Sequence, residues 1–192
     1  MRELTYLVAT SIDGFIAAPD GDFTPLLVEG AHLEALVERY PETVPAQLRE
    51  PLGITAPNQV FDTVIMGANT YRVPGALPSP YPHLRQIVVT SDPAGIPGDI
   101  TVWSDDVAAR VEALKQEGGG SVWLCGGGRL AASLVPHLDR LLLKVSPVIL
   151  GAGIPLFGRA IVGRPLFHPV GSELFTNGVL IHDYRPRKAH QN

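Results

Sequence analysis

Short apolar, β-branched runs alternate along this chain with segments whose apolar positions recur every three to four residues. Leu4–Thr10 (LTYLVAT) is a run of strand formers, and the Ser11-Ile12-Asp13-Gly14 turn follows it. Residues 15–18 resume an apolar run before the turn Pro19-Asp20-Gly21-Asp22. Residues 31–40 carry Leu33, Leu36, Val37 and Tyr40 on one helical face. Prolines 41, 45, 51 and 57 then break regular structure, leaving room for one helical turn over 47–52. Residues 61–66, 86–90, 100–103 and 121–125 read as short buried strands. A short helix is predicted to start in Gly67-Ala68-Asn69-Thr70, and prolines 74, 78, 80 and 82 mark a surface loop. Ser104 is predicted to cap a helix with Asp105 and Asp106 in its first turn and Val107, Val111 and Leu114 as its stripe. Gly118-Gly119-Gly120 ends that helix. A second helix is predicted over 130–135. Residues 141–150 read as one long strand interrupted at Pro147, where a bulge or sheet edge fits. Residues 167–175 and 179–184 form a closing pair, joined by the hairpin signal Thr176-Asn177-Gly178.

The sum is about eight strands, with helices interleaved mainly over the first three quarters. That pattern predicts an α/β fold with a mixed, mostly parallel sheet and a C-terminal antiparallel hairpin. With no internal repeat and no linker, residues 1–192 are expected to form one domain, with a core of about 3–185 and a tail at 186–192. Composition agrees: hydrophobic residues make up 45% and charged residues 18%, which excludes a disordered chain. Net charge is −4, and the only basic run, Arg185-Pro186-Arg187-Lys188, is short and terminal, so no nucleic-acid partner is expected. No apolar stretch reaches membrane-spanning length. The single cysteine, Cys125, excludes an intramolecular disulfide and fits a reducing cytoplasm.

Strand, Gly126-Gly127-Gly128, then helix is the chemically informative feature. A helix start exposes unpaired N–H groups, and glycines let a bulky anion reach the backbone. Arg129 would add a formal charge. A structural tight turn remains equally open. The run is neither a Walker loop, since no Gly-Lys-Ser/Thr follows, nor a Rossmann fingerprint. Gly67-Ala68-Asn69-Thr70 and Thr90-Ser91 also follow predicted strands, and open parallel sheets bind ligands along that edge.

Four motifs in order resemble the dihydrofolate reductase-like superfamily, closest to the reductase domain of bacterial riboflavin biosynthesis. They are residues 9–17 (ATSIDGFIA), 64–71 (VIMGANTY), 122–130 (VWLCGGGRL) and 147–157 (PVILGAGIPLF). The resemblance implies a three-layer dihydrofolate reductase-like fold around a central mixed, mostly parallel eight-stranded sheet, which binds NADPH and reduces a small heterocyclic substrate, pterin-, pyrimidine- or flavin-like, by hydride transfer. It implies that Ala9 and Ile16 contact the nicotinamide, and that Gly67, Asn69 and Thr70 approach the central phosphates and ribose. Thr90 and Ser91 would flank the adenosine, and Gly126, Gly127, Gly128, Arg129, Leu130 and Ala131 would wrap the pyrophosphate. Two departures matter. Relatives often carry Arg after the Met-Gly pair to hold the 2′-phosphate, where Ala68 stands here, and a basic or hydroxyl residue where Asp92 stands. An acid there repels a 2′-phosphate and accepts from a free 2′-hydroxyl, so NADH stays open beside NADPH.

On the substrate side, Asp13 is the ionisable group expected nearest the nicotinamide, as a catalytic or substrate-binding acid or as a turn former. Glu29 and Glu34 are the acids available to hold a pterin, with Glu34 read as solvated surface. Lys144, Arg72 and Arg159 are the cations available for a ribose phosphate. No metal is expected: the deaminase zinc set is absent, and His32, His83, His137, His168, His182 and His190 have no metal spacing and read as solvated surface. Cys125 reads as a buried small hydrophobe and Trp103 and Trp123 as core. A nucleotide-binding module without chemistry and another α/β phosphate binder are the competing readings. A homodimer through the sheet's strands is expected by the same resemblance.

Overall fold

The computed structural model describes residues 1–27, 29–73, 75, 77–158 and 165–187. Pro74, Arg159, Lys188 and His190 of the sequence reading lie outside the described residues. The elements run β1 (Leu4–Thr10), β2 (Phe15–Ala17), α1 (Ala31–Arg39), α2 (Ala46–Arg49), β3 (Phe61–Gly67), α3 (Ala68–Tyr71) and β4 (Arg85–Val89). They continue with β5 (Thr101–Trp103), α4 (Val107–Gln116), β6 (Ser121–Gly126), α5 (Gly128–Leu134), β7 (Arg140–Val145), β8 (Ile154–Pro155), β9 (Phe167–Leu174) and β10 (Leu180–Pro186). Single 3-10 turns lie at Thr24–Leu26, Pro41–Thr43 and Val135–His137.

Eight strands form one sheet in the order β5-β4-β3-β6-β1-β7-β10-β9. Neighbours from β5 to β7 pair parallel, and β10 pairs antiparallel with both β7 and β9. The central strands read as continuous apolar runs because both faces are covered. Ile65, Ile87, Val122 and Leu124 enter one core with Val111, Leu114 and Leu134 of the helical layer. Their chain neighbours Val64, Met66, Val88 and Trp123 enter the other with Tyr40 and Ile181. The period of two along a strand thus feeds two cores. Trp103 and Trp123 are both buried.

The separate sheet β2–β8 was not foreseen as a pair; Phe15 lies opposite Pro155 and Ala17 opposite Ile154. The strand expected over 141–150 stops at Val145. Pro147 has no N–H to extend a ladder, and Val148 N–H instead donates to the Ser146 carbonyl at 2.8 Å. Ser104 does not cap α4. The helix begins after Asp106, whose φ of 45° is left-handed, and no acid lies in its first turn. Asp105 pairs instead with Arg110 at 2.7 Å.

The buried residue at the start of α1 is His32, at 0% exposure, while Leu33 is 42% exposed. The hairpin tip docks there: Asn177 Nδ2 lies 3.0 Å from His32 Nδ1, and the Phe175 ring meets the imidazole edge-on. A solvated His32 is therefore corrected, because a partner distant in sequence covers it. Glu42, wholly buried, accepts from the N–H groups of Gln59, Val60 and Phe61 at 3.2, 2.9 and 2.6 Å, and so fixes the entry to β3.

A candidate coenzyme site at the carboxyl edge of the sheet

Six parallel strands send their carboxyl ends to one edge, so the turns after β1, β3, β4 and β6 share it. Met66 lies opposite Gly126, which carries Gly67 beside the glycine run. A Cβ on Gly67 would lie 3.6 Å from both the Gly126 carbonyl oxygen and the Gly127 nitrogen. A Cβ on Gly126 or Gly127 would lie 3.4 or 3.5 Å from Thr70 Oγ1. The Thr70 hydroxyl therefore stands over the bare backbone of both glycines. Gly126 has φ of 145°, a conformation side chains avoid, and the Gly126–Gly127 peptide is cis.

Gly128 serves a different purpose. A Cβ there would overlap the Pro155 carbonyl oxygen, and Gly158 N–H donates to the Gly128 carbonyl at 2.8 Å. Gly158 in turn packs on Arg129, where a Cβ would lie 3.0 Å from Cα. One glycine run thus splits into a pair beneath a hydroxyl, Gly126 buried and Gly127 half-buried, and a third member that seats α5 against the segment after β7. Arg129 is exposed, Leu130 is partly buried, and Ala131 is fully buried.

The turn after β1 is bonded to that same segment. Ile12 N–H donates to the Val148 carbonyl at 2.9 Å and Leu156 N–H to the Gly14 carbonyl at 2.8 Å. Asp13 closes the contact. Its Oδ1 accepts from Ser11 Oγ at 2.6 Å and Leu150 N–H at 3.1 Å, and its Oδ2 accepts from Gly151 N–H at 2.7 Å. The Ser11 hydroxyl first, then these backbone donors, hold the exposed carboxyl below the usual carboxylate range. Such a group is a hydrogen-bond acceptor across the neutral range. Ala9 and Ile16, flanking this turn, are half-buried.

At the other end, Thr90 Oγ1 donates to the Asp92 carbonyl at 3.0 Å, and Ser91 is exposed. Asp92 does not stand alone. Arg72 Nη2 donates to its carbonyl at 2.7 Å and lies 3.6 Å from its carboxylate. The acid read as hostile to a 2′-phosphate therefore has a cation beside it, which spacing alone did not reveal. Asn69 is exposed on α3.

Of the three expected cations, Arg159 lies outside the described residues, and the other two do not converge. Lys144 is buried on β7, and Arg72 follows β3, with β6 and β1 between those strands. Glu29 and Glu34 are both exposed. Cys125, expected as a buried small hydrophobe, is only partly buried against the second core; desolvation pushes its thiol up to about 12 although Tyr81 hydrogen-bonds it, which keeps it protonated at neutral pH. Among the described residues no group of three His, Cys, Asp or Glu side chains could hold a metal ion, and no helix is long and apolar enough to cross a membrane.

The half-buried Gly127 backbone and the hydroxyl above it suit an anion, and the edge as a whole suits an extended ligand. The family model for the RibD C-terminal domain matches residues 2–181. The chain belongs to the RibD C-terminal domain family. The protein YwjB of Bacillus subtilis (strain 168) is 28% identical over 190 residues, covering 96% of this chain and 98% of YwjB. Among solved structures, dihydrofolate reductase from Enterococcus faecalis, complexed with NADP(H), aligns with a TM-score of 0.65 at 15% identity over 97% of both chains. The diaminohydroxyphosphoribosylaminopyrimidine deaminase/5-amino-6-(5-phosphoribosylamino)uracil reductase of Thermotoga maritima aligns with a TM-score of 0.64 at 18% identity, over 97% of this chain and 57% of that one. These two likenesses establish the dihydrofolate reductase-like fold.

Proposed function

We propose that this member of the RibD C-terminal domain family is a reductase that passes hydride from NADPH to a small pterin-, pyrimidine- or flavin-like acceptor. The observation that carries the reading is the Thr70 hydroxyl over the bare backbone of Gly126 and Gly127 at the carboxyl edge. In this reading Gly67, Asn69, Thr70 and the stretch Gly126, Gly127, Gly128, Arg129, Leu130 and Ala131 hold the phosphates. Thr90 and Ser91 flank the adenosine, and Ala9 and Ile16 border the nicotinamide. When bound, the dihydronicotinamide supplies the hydride. Asp13 keeps the turn after β1 fastened to Leu150 and Gly151, so that Ala9 and Ile16 present a fixed surface.

NADPH is the coenzyme proposed, and NADH is the alternative because Ala68 offers no grip on a 2′-phosphate. Titration of the purified protein with each coenzyme, read by nicotinamide fluorescence, tests binding. Loss of the 340 nm absorbance with dihydrofolate, 5-amino-6-(5-phosphoribosylamino)uracil and oxidised flavin then tests chemistry. Failure to bind either dinucleotide would sink the proposal. A second reading, a nucleotide-binding module without chemistry, is favoured by one observation: the Asp13 carboxylate is already engaged by three donors. Binding without oxidation of the coenzyme would select it.

A homodimer in a cytoplasmic setting is part of the proposal. The edge strand β9 exposes Val170 and Leu174, and Leu166 precedes it, also exposed. Light scattering of the purified chain distinguishes dimer from monomer.

A further inference from the structure

Lys144 is a cation with no use in the account above. It is the lone charge in the run Leu-Leu-Leu-Lys-Val of β7, and only 7% of it is exposed. Its residue lies directly opposite Ala9, one position before the carboxyl end of β1. Two residues from Leu142, it faces the α1 side of the sheet, where Leu142 and Ile181 are buried. Its Nζ donates to the Leu26 carbonyl at 2.7 Å, its one hydrogen bond among the described residues. Ionisable groups lie on the surrounding elements: Asp22 and Glu29 flank the Thr24–Leu26 turn, His32 is on α1, and His182 and Asp183 are on β10. Among the described residues none of the carboxylates pairs with Lys144; Asp183 is held by Arg140 at 2.8 Å.

A buried ammonium with one acceptor for three N–H groups is poorly satisfied. Its burial also lowers its hold on a proton. The Leu26 carbonyl does not depend on it, because Ser146 Oγ donates to the same oxygen at 3.0 Å. The ammonium can therefore leave that carbonyl without orphaning it. The deployment is that of a donor held in reserve beside the strand end that borders the proposed hydride path.

We propose that Lys144 is the acceptor-side catalytic residue: it hydrogen-bonds the nitrogen or oxygen of the substrate's C=N or C=O bond and protonates it. This rests on the reductase reading above. As hydride reaches the carbon, the π bond breaks toward the heteroatom. That atom takes a proton from the Lys144 ammonium, and the neutral amine regains one from water. The balance is one NADPH and one proton consumed, with NADP⁺ and the reduced C–N or C–O bond formed.

The test compares wild type with K144A, K144R and S146A, in coenzyme titration and in turnover of the acceptor panel named above. K144A should bind NADPH within about twofold of wild type yet lose about 10²- to 10³-fold in kcat, with saturable rescue by ethylamine. K144R keeps charge and length but cannot release its proton, so it should stay about 10²-fold down, and it carries the test should K144A not fold. S146A weakens the same clamp on Leu26 and should stay within about threefold. Wild-type-like turnover in K144R, loss in S146A matching K144A, or a folded K144A that ethylamine does not rescue would each overturn the assignment. A wild type that binds NADPH and reduces no acceptor overturns it together with the reductase reading, whereas turnover indifferent to Lys144 overturns the assignment alone.

Discussion

Replacing Gly127 and Gly128 by alanine, one at a time, separates what the fold demands of the glycine run from what a ligand demands. At Gly128 a methyl group would overlap the Pro155 carbonyl oxygen, which is backbone and cannot swing aside. Overpacking of this kind costs about 1–3 kcal/mol, and strain on the Gly158-to-Gly128 hydrogen bond adds about 1 kcal/mol. At about 2–4 °C per kcal/mol for a domain of this size, Gly128→Ala should lower Tm by about 4–16 °C. Gly127 differs. Its φ of −96° and ψ of −176° suit any residue, and the nearest atom to a new Cβ is Thr70 Oγ1 at 3.5 Å, an ordinary contact. Gly127→Ala should therefore change stability by no more than about 1 kcal/mol. An anion, however, would meet a methyl where it had met bare backbone. Losing one charge-assisted hydrogen bond costs about 1.5–3 kcal/mol, or about 10- to 100-fold in Kd. Thermal unfolding and NADPH fluorescence titration read the two effects separately. A Gly127→Ala protein that melts normally and binds NADPH with wild-type affinity refutes the pyrophosphate reading of this turn.

Asp13→Asn should speed amide hydrogen exchange at Leu150 and Gly151 by about tenfold while leaving the sheet protected, because only this contact loses its charge. The folded-state carboxyl is held down, so its contribution is present above the unfolded value of about 4 and fades as pH falls through the lower folded value. Wild-type exchange at those two amides, corrected for intrinsic rates, should accordingly rise only on the acid side of that window. Glu42→Ala strands three N–H donors, one of them that of the buried Phe61 at the start of β3, and should cost about 1–3 kcal/mol, read as a fall of about 2–12 °C in Tm. Asp92→Asn frees Arg72 from a carboxylate 3.6 Å away and should improve NADPH affinity relative to NADH by about two- to fivefold, with the gain shrinking at high salt. An unchanged ratio of the two Kd values would remove Asp92 from coenzyme choice.

The eight strands of the main sheet were legible because each carries its own signal. Residues such as Val64-Ile65-Met66 are apolar on both sides, which only a sheet covered on both faces tolerates, and the Asn177-Gly178 hairpin carries its turn chemistry locally. Contacts made by one polar group with distant backbone were not legible. Glu42 accepts from residues 17 to 19 positions away, Asp13 from residues 137 and 138 away, and Lys144 donates to one 118 away. In sequence each looks like an ordinary surface charge or turn former. The one local cue was at Lys144, a charge inside an otherwise apolar strand. The missed cap at Ser104 has the same origin: Ser-Asp-Asp is a sound N-terminal signal, but the pairing of Asp105 with Arg110 and the left-handed Asp106 move the helix start past it.

These long-range contacts have a common destination. The turn after β1, the segment 146–158 and the start of α5 are tied together by Asp13 to Leu150 and Gly151, by Leu156 to Gly14, and by Gly158 to Gly128. A ligand laid along the edge from Ala9 to the glycine run would therefore rest on one connected unit rather than on three independent loops. Its ordering cost would be largely met in the folded chain before binding. Loosening any one tie should then weaken binding at both ends of the edge, and the Asp13→Asn variant exposes this directly. If it binds NADPH with wild-type affinity although Leu150 and Gly151 exchange faster, the turns act separately and the edge is only a row of neighbours.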